Sequence, residues 1–373
     1  MKRIVLVGGA SGGHFYPLMA VAEKLNEFRN KGNELELFYF GPEPYNREAL
    51  ERNSITYVAC PSGKKRRYFS ILNYLDIFKL FYGFFVALFK LYTIYPDVIF
   101  SKGSYTSVPV TLAGFILRIP IVVHESDAKP GIANKLAGKF ARYIAISFAE
   151  AAQYFPEHKI SLTGIPLRKA FLVKIEDPVA ELGLPKDKPM IFVTGGSLGA
   201  ERLNDLVLES LDELLVDYVL FHQTGDANYN RVKNTATSLI SDTTLLEHYF
   251  VNGSLTGREM SLAESGAVLI ISRAGTGSIY EIAYKGKPSI LIPIPEEISH
   301  DQKNNAYAYA RSGAASVLEE SNFTDGLLAS EINRIMTNPD EYSKMATAAN
   351  NFNQGDAALK LADTLIDISN EHE

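Results

Sequence analysis

The chain has 373 residues, 46% of them hydrophobic and 21% charged, and its single cysteine, Cys60, excludes an internal disulfide and favours a reducing compartment. The length exceeds the usual size of one core, so we expect two domains of roughly 150–200 residues. The net charge of −6 conceals a basic first half: residues 1–165 hold 20 Lys and Arg against 13 Asp and Glu, and are expected to attract an anionic surface or ligand.

The first half alternates predicted strands and helices. Short apolar runs bounded by glycine or proline predict strands. These runs are Ile4–Val7, Leu35–Phe40, Ile55–Val58, Val98–Phe100 and Ile119–Val123. Between the first two runs, apolar residues at helical spacing predict a helix over Pro17–Phe28. Strands separated by helices indicate a parallel, doubly wound sheet.

The second half restarts this pattern after a polar, proline-bearing segment. Met190–Thr194 is a predicted strand, and a glycine turn and a predicted helix over Ala200–Leu215 follow it. Further strands are predicted at Tyr218–Phe221, Val268–Ile271 and Ser289–Ile292. The sequence thus predicts an α/β fold of two Rossmann-like domains joined near Gly164–Leu167, with ligands in the cleft between them.

Two glycine turns, Gly8–Gly13 and Gly195–Gly199, each follow a strand and open a helix. Glycine lets backbone N–H groups approach a ligand, and a helix start presents positive potential, so both turns suit a phosphate. The first turn lacks the dinucleotide and P-loop fingerprints, and tight strand–helix turns also need glycine for steric reasons alone. His14 comes directly after the first turn. Three roles are open for it: a general base, a phosphate partner, or a residue that caps and packs at the helix start.

A third segment, Ser272–Glu281, again follows a predicted strand. Its small residues and hydroxyls precede Glu281, whose carboxylate either accepts the hydroxyls of a ribose or stabilises a helix first turn. The amides of Gln302–Asn305 suit sugar hydroxyls, although such loops are common on surfaces.

Scattered histidines and the lack of an Asp-x-Asp element predict no metal site, and no nucleophile elbow of a Ser-His-Asp hydrolase occurs.

The stretch from Lys64 to Tyr95 begins with four basic residues and continues rich in aromatic and aliphatic side chains. It predicts contact with an anionic membrane surface, and the alternative is a buried helix behind a solvated basic loop. Its most apolar part, Leu80–Phe89, is far shorter than the roughly 20 residues that span a bilayer. No secretory signal is visible, so we expect a cytoplasmic chain that lies on a membrane. The acidic net charge disfavours nucleic acid.

Eight segments occur in a characteristic order along the chain: GGASGGHFYP at Gly8–Pro17, SGKKRRY at Ser62–Tyr68, SKGSYTSVPV at Ser101–Val110, HESDAKPGIANK at His124–Lys135, GIPLR at Gly164–Arg168, GGSLGAERLN at Gly195–Asn204, SRAGTGSIYEI at Ser272–Ile282 and QKNNA at Gln302–Ala306. Taken in order, these segments resemble those of the MurG family of undecaprenyldiphospho-muramoylpentapeptide β-N-acetylglucosaminyltransferases over nearly the whole chain.

The resemblance implies a GT-B glycosyltransferase fold. Residues 1–165 are then an N-terminal domain on the acceptor and membrane side, 166–350 a donor domain, and 351–373 a helix packing back on the N-terminal domain. The implied reaction is inverting transfer of N-acetylglucosamine from UDP-N-acetylglucosamine to lipid I (undecaprenyl-diphospho-N-acetylmuramoyl-pentapeptide). It gives lipid II for peptidoglycan synthesis at the cytoplasmic face of the cell membrane, with no cofactor and no metal.

The resemblance also implies roles for single residues. The donor contacts are Ser11, Gly12, Gly13, Arg168, Ser197, Thr276, Gly277, Ser278, Glu281 and Gln302. Glu281 is expected on the ribose, Ser197 near the diphosphate and Gln302 at the sugar ring. The position of the first turn in the basic, aromatic half supports a second interpretation, in which this turn faces the acceptor's diphosphate and the second turn holds UDP.

On the acceptor side the implied residues are Tyr105, Asp127 and Asn134. The candidates for the general base are His14 first and Glu125 second. Two departures from the family pattern are Asp127, where many members have Asn, and Ala10-Ser11, where Gly-Thr is common. The alternatives are a related enzyme acting on another lipid, a UDP-sugar epimerase of the same architecture, and a non-catalytic subunit that binds a nucleotide sugar.

Overall fold

The structure, a computed structural model, describes residues 1–9, 11–63, 72–196, 199–298 and 301–371, with the backbone alone for residues 72–77. The chain forms two compact units, Met1–Lys169 together with Gln354–Glu373, and Ala170–Asn353.

The first unit is built on a parallel sheet. Its strands are β1 (Lys2–Val7), β2 (Leu35–Gly41), β3 (Ile55–Ala59), β4 (Val98–Ser101), β5 (Ile121–Glu125), β6 (Tyr143–Ile146) and β7 (Ile160–Leu162). Its helices before residue 169 are α1 (Gly12–Arg29), α2 (Arg47–Arg52), α3 (Leu72–Ile94), α4 (Val108–Ile116) and α5 (Ile132–Gly138). Short 3-10 segments lie at Tyr105–Ser107, Ala149–Tyr154 and Glu157–Lys159.

The second unit repeats this plan. Its strands are β8 (Met190–Thr194), β9 (Val219–Gln223), β10 (Tyr249–Asn252), β11 (Leu269–Ser272), β12 (Ser289–Leu291) and β13 (Ala315–Val317). Its helices, the first of which begins at the last residue of the first unit, are α6 (Lys169–Leu172), α7 (Pro178–Glu181), α8 (Glu201–Glu209), α9 (Leu211–Asp217), α10 (Tyr229–Leu239), α11 (Gly257–Gly266), α12 (Thr276–Tyr284), α13 (Gln302–Ala310), α14 (Leu327–Met336) and α15 (Pro339–Phe352). Its 3-10 segments are Leu245–His248 and Glu320–Asn322.

Each sheet reverses its strand order at one point. The first sheet runs β3-β2-β1-β4-β5-β6-β7 and the second β10-β9-β8-β11-β12-β13. The reversals therefore lie between β1 and β4 and between β8 and β11. Ligands of open α/β sheets bind outside the carboxyl ends of the strands at such a point. Each glycine turn leaves a strand at one of these reversals, so the fold places both turns where ligands bind.

The central strand β1 is buried on both faces. Ile4 and Leu6 pack with the apolar face of α1 on one side, and Val5 and Val7 face a second core on the other. The last helix, α16 (Ala357–Asn370), closes the first of these cores. Its N-cap, Asp356, accepts a hydrogen bond from Leu359 N at 3.0 Å. The C-terminal segment thus contributes to the core of the first unit.

The parallel two-sheet α/β fold is confirmed, and several element bounds differ from the predicted ones. The first helix begins at Gly12 rather than Pro17, because the carbonyl of Ser11, the extended N-cap residue, already accepts hydrogen bonds from the N–H groups of His14 and Phe15. The predicted helix Ala200–Leu215 is two helices, since α8 ends at Glu209 and α9 begins at Leu211, with Ser210 between them at φ −101° and ψ 2°. The strand predicted to start at Ile119 starts two residues later and runs through Glu125.

Candidate active site

The first glycine turn is held against its neighbours by close backbone approach. Gly8 and Gly9 have φ of 141° and 102°, which side-chain-bearing residues rarely adopt. A Cβ at Gly9 would lie 2.8 Å from Tyr39 Oη, and that hydroxyl donates a hydrogen bond to Gly8 O at 2.5 Å. Gly12 and Gly13 form the first turn of α1, which places their backbone N–H groups at the helix start. Ala10 lies outside the described residues.

His14 stands in the first turn of α1 and is half-buried. Its Nδ1 lies 3.0 Å from Ser11 Oγ. Burial, and after it the positive charge of Lys102, lower the pKa of His14 to about 4, while the negative charge of Asp127 acts in the opposite direction. The imidazole is therefore neutral near neutral pH. When Nδ1 donates its proton to Ser11, Nε2 is the ring atom that can accept another.

Glu125 ends β5 and organises the loop that follows it. Its carboxylate accepts hydrogen bonds from Asp127 N at 2.9 Å, Gly131 N at 3.3 Å and Asn134 Nδ2 at 2.9 Å. Burial and the charge of Asp127 raise the pKa of this carboxyl, while its hydrogen bonds and Lys102 act in the opposite direction. Glu125 is 3% exposed, so its contacts point to a residue that shapes the loop between β5 and α5.

Tyr105 begins the 3-10 segment after β4 and is half-buried. The residue before it, Ser104, has φ 70° and ψ 161°, a backbone conformation that is essentially confined to glycine. Gly103, the preceding residue, approaches Asn134 closely: a Cβ at this position would lie 2.5 Å from Asn134 Oδ1. The loops after β4 and β5 therefore interlock, and the first unit brings Tyr105, Asn134 and the Glu125 loop together.

Arg168 also belongs to the first unit. Its guanidinium lies over the ring of Tyr16, 4.2 Å from the centroid, in a cation–π contact with α1. The sequence did not predict this contact. The contact places the Arg168 guanidinium at the start of α1, beside a residue two positions after His14.

The second glycine turn leaves β8. Gly196 N donates a hydrogen bond to Thr194 Oγ1 at 3.1 Å, and Gly196 and Gly199 have φ of 82° and 75°. A Cβ at Gly199 would lie 2.3 Å from Thr224 O, so only glycine fits beside the next loop. Ser197, the residue predicted near the diphosphate, lies outside the described residues.

The start of α12 follows β11 at the reversal of the second sheet. Thr276, Gly277 and Ser278 form its first turn, and Gly275 is its N-cap. No acidic side chain lies in that turn, which leaves its positive potential for an anionic ligand. Glu281, half-buried, stands one turn further along the same helix.

Two amides tie α13 to this region. Asn305 Nδ2 donates a hydrogen bond to Thr276 Oγ1 at 3.3 Å. Gln302 Oε1 accepts one from Ile294 N at 3.2 Å, which fixes the orientation of its amide. The second unit thus gathers Thr276–Ser278, Glu281 and Gln302 around one sheet end, as far as the described residues show.

Two residues that sequence reasoning missed also lie at the first site: Lys102, at the end of β4, and Ser126, beside Glu125. Lys102 is 1% exposed, and its ammonium group donates a hydrogen bond to Ser126 Oγ. A lysine that follows a strand is usually solvated, so the sequence alone gave no sign of its burial.

Within the described residues, no group of three or more His, Cys, Asp or Glu side chains could hold a metal ion.

Helix α3 carries an exposed aromatic face. The side chains on it, each more than 60% exposed, are Phe78, Phe81, Tyr82, Phe85, Phe89 and Tyr92. They recur at helical spacing, whereas Ala87 and Leu91 on the opposite side are buried. Among the described residues, no helix is both long and apolar enough to cross a membrane. The basic residues Lys64–Arg67 that precede this face lie outside the described residues.

Comparison with known proteins places the chain in a family. Residues 4–146 match the glycosyltransferase family 28 N-terminal domain, and residues 190–361 match the C-terminal domain of the same family. A protein of Bacillus thuringiensis (strain Al Hakam) is 36% identical over 360 residues, covering 96% of this chain and 97% of the relative. It is named UDP-N-acetylglucosamine–N-acetylmuramyl-(pentapeptide) pyrophosphoryl-undecaprenol N-acetylglucosamine transferase 3.

Solved structures agree on the fold. Acinetobacter baumannii MurG has a TM-score of 0.77 and 24% identity, covering 98% of this chain and all of that one. A Listeria monocytogenes protein described as a putative UDP-N-acetylglucosamine 2-epimerase has a TM-score of 0.73 and 16% identity, covering 100% and 98% of the two chains. The fold is therefore common to transferases and epimerases, and the sequence relatives decide between them. The chain belongs to the MurG family of glycosyltransferases, as its motifs predicted.

Proposed function

We propose that this chain transfers N-acetylglucosamine from UDP-N-acetylglucosamine to lipid I, giving lipid II with inversion at the anomeric carbon. The observation that carries the reaction is the 36% identity, over 96% of the chain, to a transferase named for these substrates. The neutral, Ser11-bonded imidazole of His14 at the first glycine turn supplies the chemistry the reaction needs.

In this proposal, the donor binds to the second unit. The first turn of α12 and the second glycine turn face the diphosphate, with Ser197 beside it, since helix starts and exposed backbone N–H groups favour anions. Glu281 accepts the ribose hydroxyls, and Gln302, oriented by Ile294 N, meets the sugar. Arg168 neutralises charge on the departing UDP. In this division the donor domain is the second unit, Ala170–Asn353, and Arg168 is contributed by the end of the first unit.

The acceptor binds to residues 1–165, which the C-terminal segment 351–373 completes. The first glycine turn, with Ser11, Gly12 and Gly13, faces a diphosphate, and Tyr105, Asp127 and Asn134 line the acceptor side. Glu125 holds their loop in place through its hydrogen bonds.

The reaction is a single displacement. The acceptor hydroxyl oxygen forms a bond to the anomeric carbon as the bond from that carbon to the UDP oxygen breaks. Nε2 of His14 takes the hydroxyl proton while Nδ1 donates to Ser11, and UDP leaves as the anion. Backbone N–H groups and Arg168 stabilise the leaving diphosphate, so the step requires neither a metal nor a cofactor.

The aromatic face of α3 is the part of the chain that meets the lipid. Exposed Phe and Tyr side chains at helical spacing favour the interfacial region of a bilayer, and Lys79 and Lys90 on the same helix are exposed to anionic headgroups. We therefore place the enzyme as a peripheral protein on the cytoplasmic face of the cell membrane.

One reconstitution tests the proposal. Purified full-length chain is given UDP-N-acetylglucosamine and lipid I in vesicles, and lipid II is measured by mass, with UDP release measured in parallel without acceptor. Lipid II formation that depends on both substrates is expected. Conversion of the nucleotide sugar to an epimer without acceptor supports the epimerase instead, and donor binding without turnover supports a binding subunit.

A further inference from the structure

Lys102 is the only lysine or arginine that is fully buried among the residues that the structure describes. Its ammonium group donates to Ser126 Oγ, and its backbone N–H donates to Val7 O at 2.9 Å. A Cβ at Gly8 would lie 2.9 Å from Lys102 Cβ. The lysine stem therefore passes against the first glycine turn, and its charged end reaches the loop after β5.

A buried ammonium ion is strongly unfavourable unless opposite charges compensate for it. Ser126, the partner of Lys102, stands between Glu125 and Asp127. Burial lowers the pKa of Lys102, and the charges of Glu125 and Asp127 raise it. These two carboxylates therefore supply the compensation.

The same charge acts on the histidines of the site. Lys102 adds to the effect of burial in lowering the pKa of His14 and of His124, whereas Asp127 raises that of His14. The charged groups that act on His14 are thus Lys102 and Asp127, from the loops after β4 and β5. Glu125 and His124, both on β5, interact with Lys102.

We propose that Lys102 is a positioning residue for the acceptor half of the reaction. Through Ser126 it holds the loop of Glu125 and Asp127, and its charge balances these two carboxylates next to the base, His14. The inference rests on the proposed function, because it takes His14 to remove the acceptor proton. Lys102 itself, fully buried, acts through these residues and not on the substrate.

The first test removes the charge and keeps most of the length of the side chain. In Lys102→Met, the pKa of His14 rises, so the acid limb of kcat/KM for lipid I moves up by about one pH unit or more. Titration of the histidine rings by NMR gives the same shift in the free enzyme. Lys188→Met is the matched control, because this lysine of the second unit is partly buried and its Nζ donates to Leu215 O at 2.8 Å. Its acid limb stays at the wild-type pH.

The second test restores the balance of charge. Adding Asp127→Asn to Lys102→Met removes one of the uncompensated carboxylates, so the acid limb returns toward the wild-type pH. The charge-balance argument is overturned if the acid limb of the double variant lies at the same pH as that of Lys102→Met. It is also overturned if the acid limb of Lys102→Met lies at the wild-type pH.

Two single variants keep the inference testable if Lys102→Met does not fold. Asp127→Asn alone lowers the pKa of His14 in the NMR titration, and an unchanged pKa overturns the proposal. Ser126→Ala keeps the ammonium ion and breaks its link to the loop, so KM for lipid I rises while KM for the donor stays constant. A wild-type KM for lipid I overturns the role of Lys102 in holding the loop.

The inference and the proposed function fail in different ways. Wild-type enzyme that makes no lipid II from both substrates contradicts the proposed function. Wild-type turnover, together with variants whose pH profiles and lipid I KM match the wild type, contradicts the inference alone.

Discussion

Asn134 Nδ2 donates a hydrogen bond to Glu125 Oε2 across 2.9 Å, and the same carboxylate accepts the backbone N–H of Asp127 and of Gly131. One buried carboxylate thus joins the end of β5 to the start of α5. Three donors converge on it, so an acceptor-only group is required at this position.

Glu125→Gln replaces one acceptor oxygen with an amide that donates. One of the three donors is then left without an acceptor, so the free energy of unfolding falls by about 1–3 kcal/mol. Because the acceptor-side loop loosens, KM for lipid I rises and KM for the donor does not. Urea unfolding and initial-rate kinetics measure both. Glu157→Gln, at an exposed position, serves as the control, and a Glu125→Gln variant as stable as this control contradicts the structural role.

His14→Ala removes the proposed base. The rate of the chemical step falls by about 10²–10⁴-fold, the usual contribution of a positioned base, while donor binding is unchanged. Single-turnover measurements with saturating lipid I separate the chemical step from product release. Near-normal turnover in this variant excludes His14 as the base and directs attention to Glu125.

The lowered pKa of His14 also makes stability depend on pH. The unfolded chain takes up this proton near the ordinary pKa of 6.5, and the folded chain only near about 4. As the pH falls through this window the unfolded state binds more protons, so stability is lost. His14→Ala removes this contribution. The difference in unfolding free energy between wild type and variant therefore changes across the window, and a constant difference shows that the ring is not perturbed.

The sequence predicted the fold where a strand is buried and rich in β-branched or aromatic residues. Every residue from Ile4 to Val7 in β1 is buried, as is every residue from Met190 to Thr194 in β8. The apolar composition of these runs is therefore enough to identify both strands. The strands β7 and β13 have three residues each and none of them is buried, so no buried apolar run marks them, whereas β12 is equally short but buried throughout and was predicted. Their place in the sheets depends on pairing with distant neighbours.

The site was predictable only in part, for a similar reason. The motifs indicated the family, which the comparisons confirmed, and they indicated the loops that carry the candidate residues. The burial of Lys102 depends on how closely β4 approaches Gly8, and this is a tertiary property. The sequence also could not predict which side of α3 is exposed. Apolar residues surround this helix, and its packing on α4 decides which side faces outward.

Glu281→Gln tests the donor side. A carboxylate that accepts the hydroxyls of a ribose contributes a charged hydrogen bond, and its loss raises donor KM about 10–100-fold, in line with the 1.5–3 kcal/mol of such bonds. KM for lipid I stays near the wild-type value, because the change lies in the second unit. Initial rates with each substrate varied in turn provide the measurement. An unchanged donor KM excludes the ribose role.

Ser104 stores backbone strain beside Tyr105. Its φ of 70° and ψ of 161° suit glycine, and such a conformation costs a side-chain-bearing residue about 1–3 kcal/mol. Ser104→Gly relieves the strain at a smaller cost in chain entropy, so the free energy of unfolding rises by about 1 kcal/mol. Ser104→Ala keeps the Cβ and gives no gain. Equal urea midpoints for the two variants show that this backbone is not strained in solution.

Phe81 and Phe85 lie one turn apart on the exposed face of α3, at 61% and 62% exposure. If this face enters a bilayer surface, each Phe→Ser change removes about 1.5–3 kcal/mol of apolar burial, or about tenfold or more in partitioning. Sedimentation with vesicles of phosphatidylglycerol and phosphatidylcholine measures the partition coefficient, and the double variant is expected in the supernatant.

Leu239→Ser, at an apolar residue 49% exposed in the second unit, is the matched control and sediments like the wild type. Because turnover of a water-soluble acceptor analogue does not depend on the membrane, it stays unchanged in the double variant. Equal partitioning of the double variant and the wild type contradicts a membrane role for this face.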